Sequence, residues 1–341
     1  MKKLKYIVLS LFIILMCSCS NDSDYTFVIP EDAEAVVEID ANVLMQETDG
    51  TNSNRWNGLE KGLELSTPIY VFKTKDALAA TLKVKDETEL TEVLSRLSKK
   101  GVCSKPTSKD GMWIGTLLGN VHFGYDEEKI VIYYNIGSTH LPVRRAIAQL
   151  MDNTDAPFVN TEQYTKLKQE KGDIKLFAKN DEAETFGGVR IEKGKTTFTA
   201  NLTPNNTYKG TKGEVLLNVI KSIPLLQGYL RIIEMGMDAE MILKSMDYGI
   251  RIGIKEKNMT SIPEFFVSAH VNNEDYKTDM NSWREEMRNY GFDLTMNIEN
   301  HMVFVGNTLA RDLKEDNDIV IEINTNDKDT LPIKLLNLLH I

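Results

Sequence analysis

Five histidines (His122, His140, His270, His301 and His340) are the side chains best suited to hold a metal or move a proton near neutral pH. None stands in the His-Glu-x-x-His spacing that sets two zinc ligands on one helix face. His270 and Glu274 are four apart, but the first falls in an extended run and the second at a helix start, so a strand histidine is expected rather than a ligand. Of three cysteines, Cys17 and Cys19 lie near the start, leaving Cys103 without a disulfide partner. Cys103 follows apolar Val102 at the end of a helical pattern and reads as a small buried residue. A serine nucleophile on a strained turn needs Gly-x-Ser-x-Gly, which is absent. Ser138 precedes His140 by two residues, and a triad built on them would have to be completed elsewhere in the fold. Gly187-Gly188 lacks the further glycines of a phosphate loop and reads as a turn. Two carboxylates roughly 5–10 Å apart would serve glycoside hydrolysis. The acids in Glu31-Asp32, Asp126-Glu127-Glu128 and Glu285-Glu286, however, fall in turns or on helix faces and read as solvated surface. Trp113 and Trp283 lie on apolar faces and read as core. Trp56, between Arg55 and Asn57 in a polar stretch, is the candidate binding residue. The expectation is a non-enzyme with no catalytic residue, cofactor or metal.

The elements that would carry these residues are legible in part. Ala35 to Ile39 is a run rich in β-branched residues and reads as a strand, with Tyr25 to Ile29 extended before it and a turn at Pro30 to Ala33. Asp40 caps a short helix through Val43 and Leu44, and residues 47–62 read mostly as loop. Strands follow at Ile69 to Phe72 and Ala80 to Val84. Asp86, three residues before Glu89, has capping-box spacing, and Leu90, Val93, Leu94 and Leu97 recur on one helix face. Gly101 supplies the stop. Three strands, Met112 to Leu118, Asn120 to Tyr125 and Lys129 to Tyr134, complete a meander.

Residues 141–172 read as helix with a break at Asp155-Ala156-Pro157, and Asp173 to Ala178 as strand. Thr196 to Leu202 alternates, with Phe198, Ala200 and Leu202 inward. Glu214 to Met246 reads as buried helices broken at Pro224 and Gly228. Phe265 to Val271 is a strand, and Asn272 or Asn273 caps a helix carrying Tyr276, Met280, Trp283, Met287 and Tyr290 on one side. Gly291 stops it, and strands follow at Leu294 to Ile298, Met302 to Gly306 and Asp318 to Asn324. The order strand, capped helix, glycine stop, strands therefore occurs at 80–134 and again from 265. The expected fold is α+β: two related halves, each a largely antiparallel sheet with packed amphipathic helices.

Length and charge narrow the function. A chain of 341 residues, 42% apolar and 26% charged, can bury a substantial core in one large or two medium domains. Lys2, Lys3 and Lys5 precede the apolar run Tyr6 to Met16, which is shorter than the ~20 residues that span a bilayer. This is the pattern of a signal peptide. The chain turns polar at Ser20-Asn21-Asp22-Ser23-Asp24. Cys17-Ser18-Cys19 resembles a lipobox, and Cys19, after small Ser18, is the better acceptor of lipid. Removal of residues 1–18 takes away three lysines and no acid. It leaves 37 basic and 50 acidic residues, a net charge of −13. Such a body repels phosphate, so no nucleic acid partner is expected, and electrostatics alone would not hold it on anionic lipid.

The opening Ile29-Pro30-Glu31-Asp32-Ala33, followed by Val36-Val37-Glu38-Ile39-Asp40, resembles a family of Bacteroides-type envelope lipoproteins known only as a domain of unknown function. A second echo is an apolar helix (Ala146 to Met151), the pair Pro157-Phe158, a helix (Tyr164 to Lys168) and Gly172-Asp173-Ile174. The resemblance implies an envelope location and a duplicated α+β body, and it brings no catalytic residue. The acidic residues after Cys19 resemble a surface-export signal.

The expected organisation is a signal peptide at 1–18, a lipidated tether at 19–25, and α+β domains at 26–155 and 156–341. The expected protein is a lipoprotein held to a membrane by lipid such as palmitate on Cys19. Its site is the cell envelope, at the outer membrane and exposed at the surface. It would bind an envelope protein or polymer, or aid assembly, without catalysis. The alternative is a surface hydrolase acting on glycan or peptide.

Overall fold

The computed structural model describes residues 24–46, 58–109, 111–117, 119–137, 142–153, 156–205, 210–222, 227, 231, 234, 236, 238–255, 264–308 and 317–324. It combines helices with a large, mostly antiparallel sheet, an α+β fold. The chain divides into two compact units, Met1–Asn42 with Asn52–Thr165, and Val43–Thr51 with Lys166–Ile341.

In the first unit the elements run β1 (Ala35–Ile39), α1 (Ala41–Gln46, assigned to the second unit from Val43), α2 (Leu59–Gly62), β2 (Ile69–Lys73), β3 (Ala77–Lys83), α3 (Glu87–Lys99), β4 (Thr107–Lys109), β5 (Met112–Thr116), β6 (Val121–Tyr125), β7 (Lys129–Asn135) and α4 (Val143–Met151). The strands lie in the order β1-β2-β3-β7-β6-β5-β4, each neighbouring pair antiparallel. Local signals set several boundaries. Asp40 Oδ1 accepts the Asn42 N–H at 2.9 Å, and Asp86 Oδ1 accepts the Glu89 N–H at 3.0 Å. The backbone N–H of Asp86 goes to Gly62 O. Asp126 Oδ1 accepts from the N–H groups of Glu128 and Lys129 and closes the β6–β7 turn. Leu90 and Leu94 on α3 pack with Phe123, Tyr125 and Ile130 on the sheet. Cys103 is buried in the same cluster, its thiol donating to Leu94 O, and burial pushes its pKa up.

The structure corrects two expectations here and adds a strand. Tyr25 to Ile29 is not extended: Asp24–Thr26 forms a 3₁₀ turn. Tyr25 turns into the core, where its hydroxyl donates to Pro68 O at 3.0 Å and its carbonyl accepts from Thr81 Oγ1 at 3.0 Å. Leu59–Gly62 is helical where loop was expected, while residues 47–57 lie outside the described set. The short edge strand β4 had no signal, because Thr-Ser-Lys is exposed along its whole length.

The two motifs of the resemblance meet in this unit. Pro30 bridges Pro157, the Phe158 N–H donates to Ile29 O at 2.7 Å, and the Glu31 N–H donates to Ala156 O at 2.9 Å. Ile29 and Phe158 are buried at 0% and 1% exposure. Each motif therefore closes backbone hydrogen bonds of the other.

The second unit contains β8 (Ile174–Lys179), β9 (Ala183–Glu192), β10 (Lys195–Pro204), β11 (Met246–Lys255), β12 (Glu264–Val271), β13 (Thr295–Glu299), β14 (Met302–Gly306) and β15 (Ile319–Asn324). The helix α5 (Glu162–Gln169) leads in from the first unit. Three more, α6 (Lys212–Ser222), α7 (Ala239–Ser245) and α8 (Met280–Asn289), pack on the sheet's apolar face. The strand order is β13-β14-β12-β11-β15-β10-β9-β8, antiparallel except for the parallel pair β11–β15. Ala200, Leu202, Ile250, Ala269, Val303 and Ile319 face Ile242, Met280 and Met287.

Gly187-Gly188 is not a turn but the middle of β9. A Cβ at Gly187 would stand 2.4 Å from Thr199 O, and one at Gly188 would stand 2.0 Å from Lys171 O. The pair lets neighbouring backbones close in, the usual meaning of glycine within a strand. Asn272 and Asn273 do not cap α8, because a 3₁₀ turn, Asp275–Thr278, intervenes and Asp279 takes the cap position. β11 begins where helix was expected to end.

Helices α3 and α8 stop in the same way. The N–H groups of Val102 and Phe292 reach back to Leu97 O and Met287 O, and those of Gly101 and Gly291 to Ser98 O and Arg288 O. Both glycines have positive φ, +75° and +90°, as this six-residue closure requires.

Burial makes the tyrosines sensitive to alkali. Desolvation raises the pKa of Tyr70, Tyr125, Tyr133 and Tyr276. A phenol with a raised pKa in the folded state contributes stability that is complete below the unfolded value, about 10, and is lost as pH rises through the folded value. Thermal unfolding should therefore give a midpoint that falls as pH rises above about 10. A midpoint independent of pH beyond that point would mean that the four phenols are not buried.

Candidate functional site

A sizeable concavity lies in the second unit, where the end of β12, the helix α7 and one face of α8 meet around about 900 Å³. Asp238 starts α7, its Oδ1 accepting the Met241 N–H at 2.8 Å. That cap turns Glu240, Met241, Lys244 and Ser245 toward the cleft. At the far end of α7 the Ser245 carbonyl accepts the Asn272 N–H at 2.8 Å, which ties the helix to β12 and sets Asn272 and Asn273 on the rim. Trp283 and Glu286, three apart on α8, fall on one face and complete the wall.

Charge in the cleft is partly compensated. Glu240 bridges Lys221 on α6 and Lys244, the latter at 3.2 Å. Hydrogen bonds from Lys221 first and Lys244 second hold its carboxyl below the usual carboxylate range. Asp238 and Glu286 are exposed acids on the same surface. Trp283 is half-buried and stacks on buried Tyr276, with ring centroids 6.1 Å apart and planes 22° apart. The Tyr276 hydroxyl shares a hydrogen bond with Ser245 Oγ at 3.0 Å, and Ser245 Oγ donates to Ile242 O. The indole is thus braced from behind by a hydrogen-bonded core.

The residues singled out in the sequence are scattered. Cys19, Trp56, Ser138, His140 and His340 lie outside the described residues. Glu274 does meet a histidine, but it is His301: Glu274 Oε1 accepts the His301 backbone N–H at 2.8 Å, and the His270 and His301 rings stack 6.1 Å apart. This fixes the two-residue β13–β14 turn, in which Asn300 and His301 both have positive φ. No cluster of three or more His, Cys, Asp or Glu able to hold a metal occurs among the described residues. His122 Nδ1 lies 3.1 Å from Thr116 Oγ1 within the sheet. Glu31, Asp32, Glu127, Glu128 and Glu285 are exposed. Trp283, read as core, packs against the core while standing half-buried at the cleft, and Asn272 and Asn273 were read as caps. The signal available was the Asn272-Asn273-Glu274 run at a strand end, a polar cluster in excess of what one helix cap needs.

Residues 53–203, less than half of the chain, match the model of a protein family described as Domain of unknown function (DUF4836). No curated protein matches the chain. Among solved structures, crystal form I of TP0453 is similar at 11% identity and a TM-score of 0.38, over 62% of this chain and 88% of that one. Crystal form III is similar at 12% identity and a TM-score of 0.40, over 59% and 88%.

Proposed function

We propose that this chain is a lipid-anchored protein of the cell envelope that holds an envelope protein or polymer in the cleft of its second unit, without catalysis. The anchor is lipid on Cys19. Lys2, Lys3 and Lys5, the short apolar run and the polar turn after Cys19 support it. No helix among the described residues is long and apolar enough to cross a membrane. Asp22 and Asp24 favour display at the outer-membrane surface.

The observation that most favours a binding role is the lining of the cleft, where the amides of Asn272 and Asn273 stand with the indole of Trp283 and the carboxylate of Glu286 around one concavity. The test is purification of the native lipoprotein from membranes beside a Glu286→Arg variant. Wild type should retain a protein or polymer, and the variant should lose at least about tenfold of it, the effect of one misplaced charge of about 1.4 kcal/mol. Equal retention by both would count against the cleft. Cleavage of the captured material by wild type would favour a hydrolase.

We also propose that the two units descend from one ancestor. In each, a strand leads to a helix closed by the same glycine stop, and the last strand of the following antiparallel run returns beside the first, β7 on β3 and β14 on β12.

A further inference from the structure

We propose that the ligand of the cleft is a glycan, a short run of sugar rings stacked on Trp283 and hydrogen-bonded by Asn272, Asn273 and Glu286. The inference rests on the reading of the cleft as a binding site and names the class of molecule it takes. The volume, about 900 Å³, is at the upper end of the range for small-ligand sites.

The lining selects among ligands by elimination. An apolar ligand would strip water from two amides, four carboxylates and an ammonium without replacing the lost hydrogen bonds. A phosphorylated ligand would meet Glu234, Asp238, Glu240 and Glu286. Glu240 has its charge matched by Lys221 and Lys244; charge disfavours anions, and the choice between a cation and a neutral molecule rests on the other groups. The two amides beside the indole point to a neutral molecule that offers donors and acceptors side by side. Each sugar hydroxyl does both, as does each asparagine amide, while a carboxylate accepts only. A pyranose ring also has an apolar C–H face. Trp283 supplies a flat, half-buried aromatic surface for it, braced by Tyr276, so little side-chain freedom is lost on binding. Asn272 and Asn273 stand at the rim, where the hydroxyls at the ring edge would lie.

The test uses the lipidated chain in detergent on an array of immobilised neutral, amino and acidic oligosaccharides, followed by solution titration of the strongest binder. Trp283 contacts the core, so Trp283→Ala risks misfolding. Asn272→Ala and Glu286→Ala change exposed side chains and keep the test decisive. The expected result is array binding by wild type that weakens at least about tenfold when both exposed residues are replaced, with the thermal midpoint unchanged. Binding that survives the double variant overturns the inference, because the sugar then sits elsewhere. No binding to any glycan, with a membrane partner still retained by wild type and lost in Glu286→Arg, overturns the glycan class and leaves the cleft as a binding site. Loss of neither sugar nor partner in any cleft variant overturns both.

Discussion

Phe158→Ala should lower the unfolding free energy of the first unit by about 3–5 kcal/mol, the usual cost of removing a fully buried phenylalanine. Phe158 is 1% exposed and meets the Tyr164 ring edge-on at 6.1 Å between centroids. Its backbone N–H also donates to Ile29 O beside the Pro30–Pro157 bridge. The truncation would leave a cavity where two distant segments are joined, and the backbone bonds there would hold the site open rather than let it collapse. Tyr290→Ala, at a side chain 51% exposed, serves as control and should change stability by less than about 0.5 kcal/mol. Urea denaturation of both variants measures the difference. A cost below about 1 kcal/mol for Phe158→Ala would mean that the Ile29–Phe158 junction does not bear on stability.

The second large effect is on location. Cys19→Ala should move the protein from the membrane fraction to the soluble or unprocessed one. Each methylene of an acyl chain buried in a bilayer contributes about 0.8 kcal/mol, one chain gives only marginal attachment, and several chains together hold firmly. Electrostatics does not favour retention: the full chain carries a net charge of −10, which anionic headgroups repel. Membrane fractionation followed by detection of the chain reads the result. Retention of Cys19→Ala at the wild-type level would assign attachment to another part of the protein.

What could be read in advance was whatever rests on neighbours along the chain. Asp86, the Leu90-Val93-Leu94-Leu97 stripe and Gly101 define α3 because a cap, an apolar face and a left-handed stop are local devices. Asp126-Glu127-Glu128 gave the β6–β7 turn for the same reason. Readings failed where a distant segment decides. Gly187-Gly188 looks like a turn until Thr199 and Lys171 press against it. β11 had a period-two signal in Ile250, Ile252 and Ile254, but Gly249 and Gly253 interrupt it and the helical run before it masks its start. The cleft was invisible because its walls come from residues 238–245, 272–273 and 283–286, which only the packing of α7, β12 and α8 brings together. Trp283 shares helical spacing with Met280 and Met287, and spacing alone does not tell a core position from one at the margin of a cavity.

The intact mass of the chain extracted from membranes tests the anchor, on which the envelope reading depends, most directly. The expected mass is that of a chain beginning at Cys19, lighter by the first 18 residues and heavier by acyl chains, with neither change in Cys19→Ala. A full-length mass, or a cleaved chain without lipid, would contradict the account.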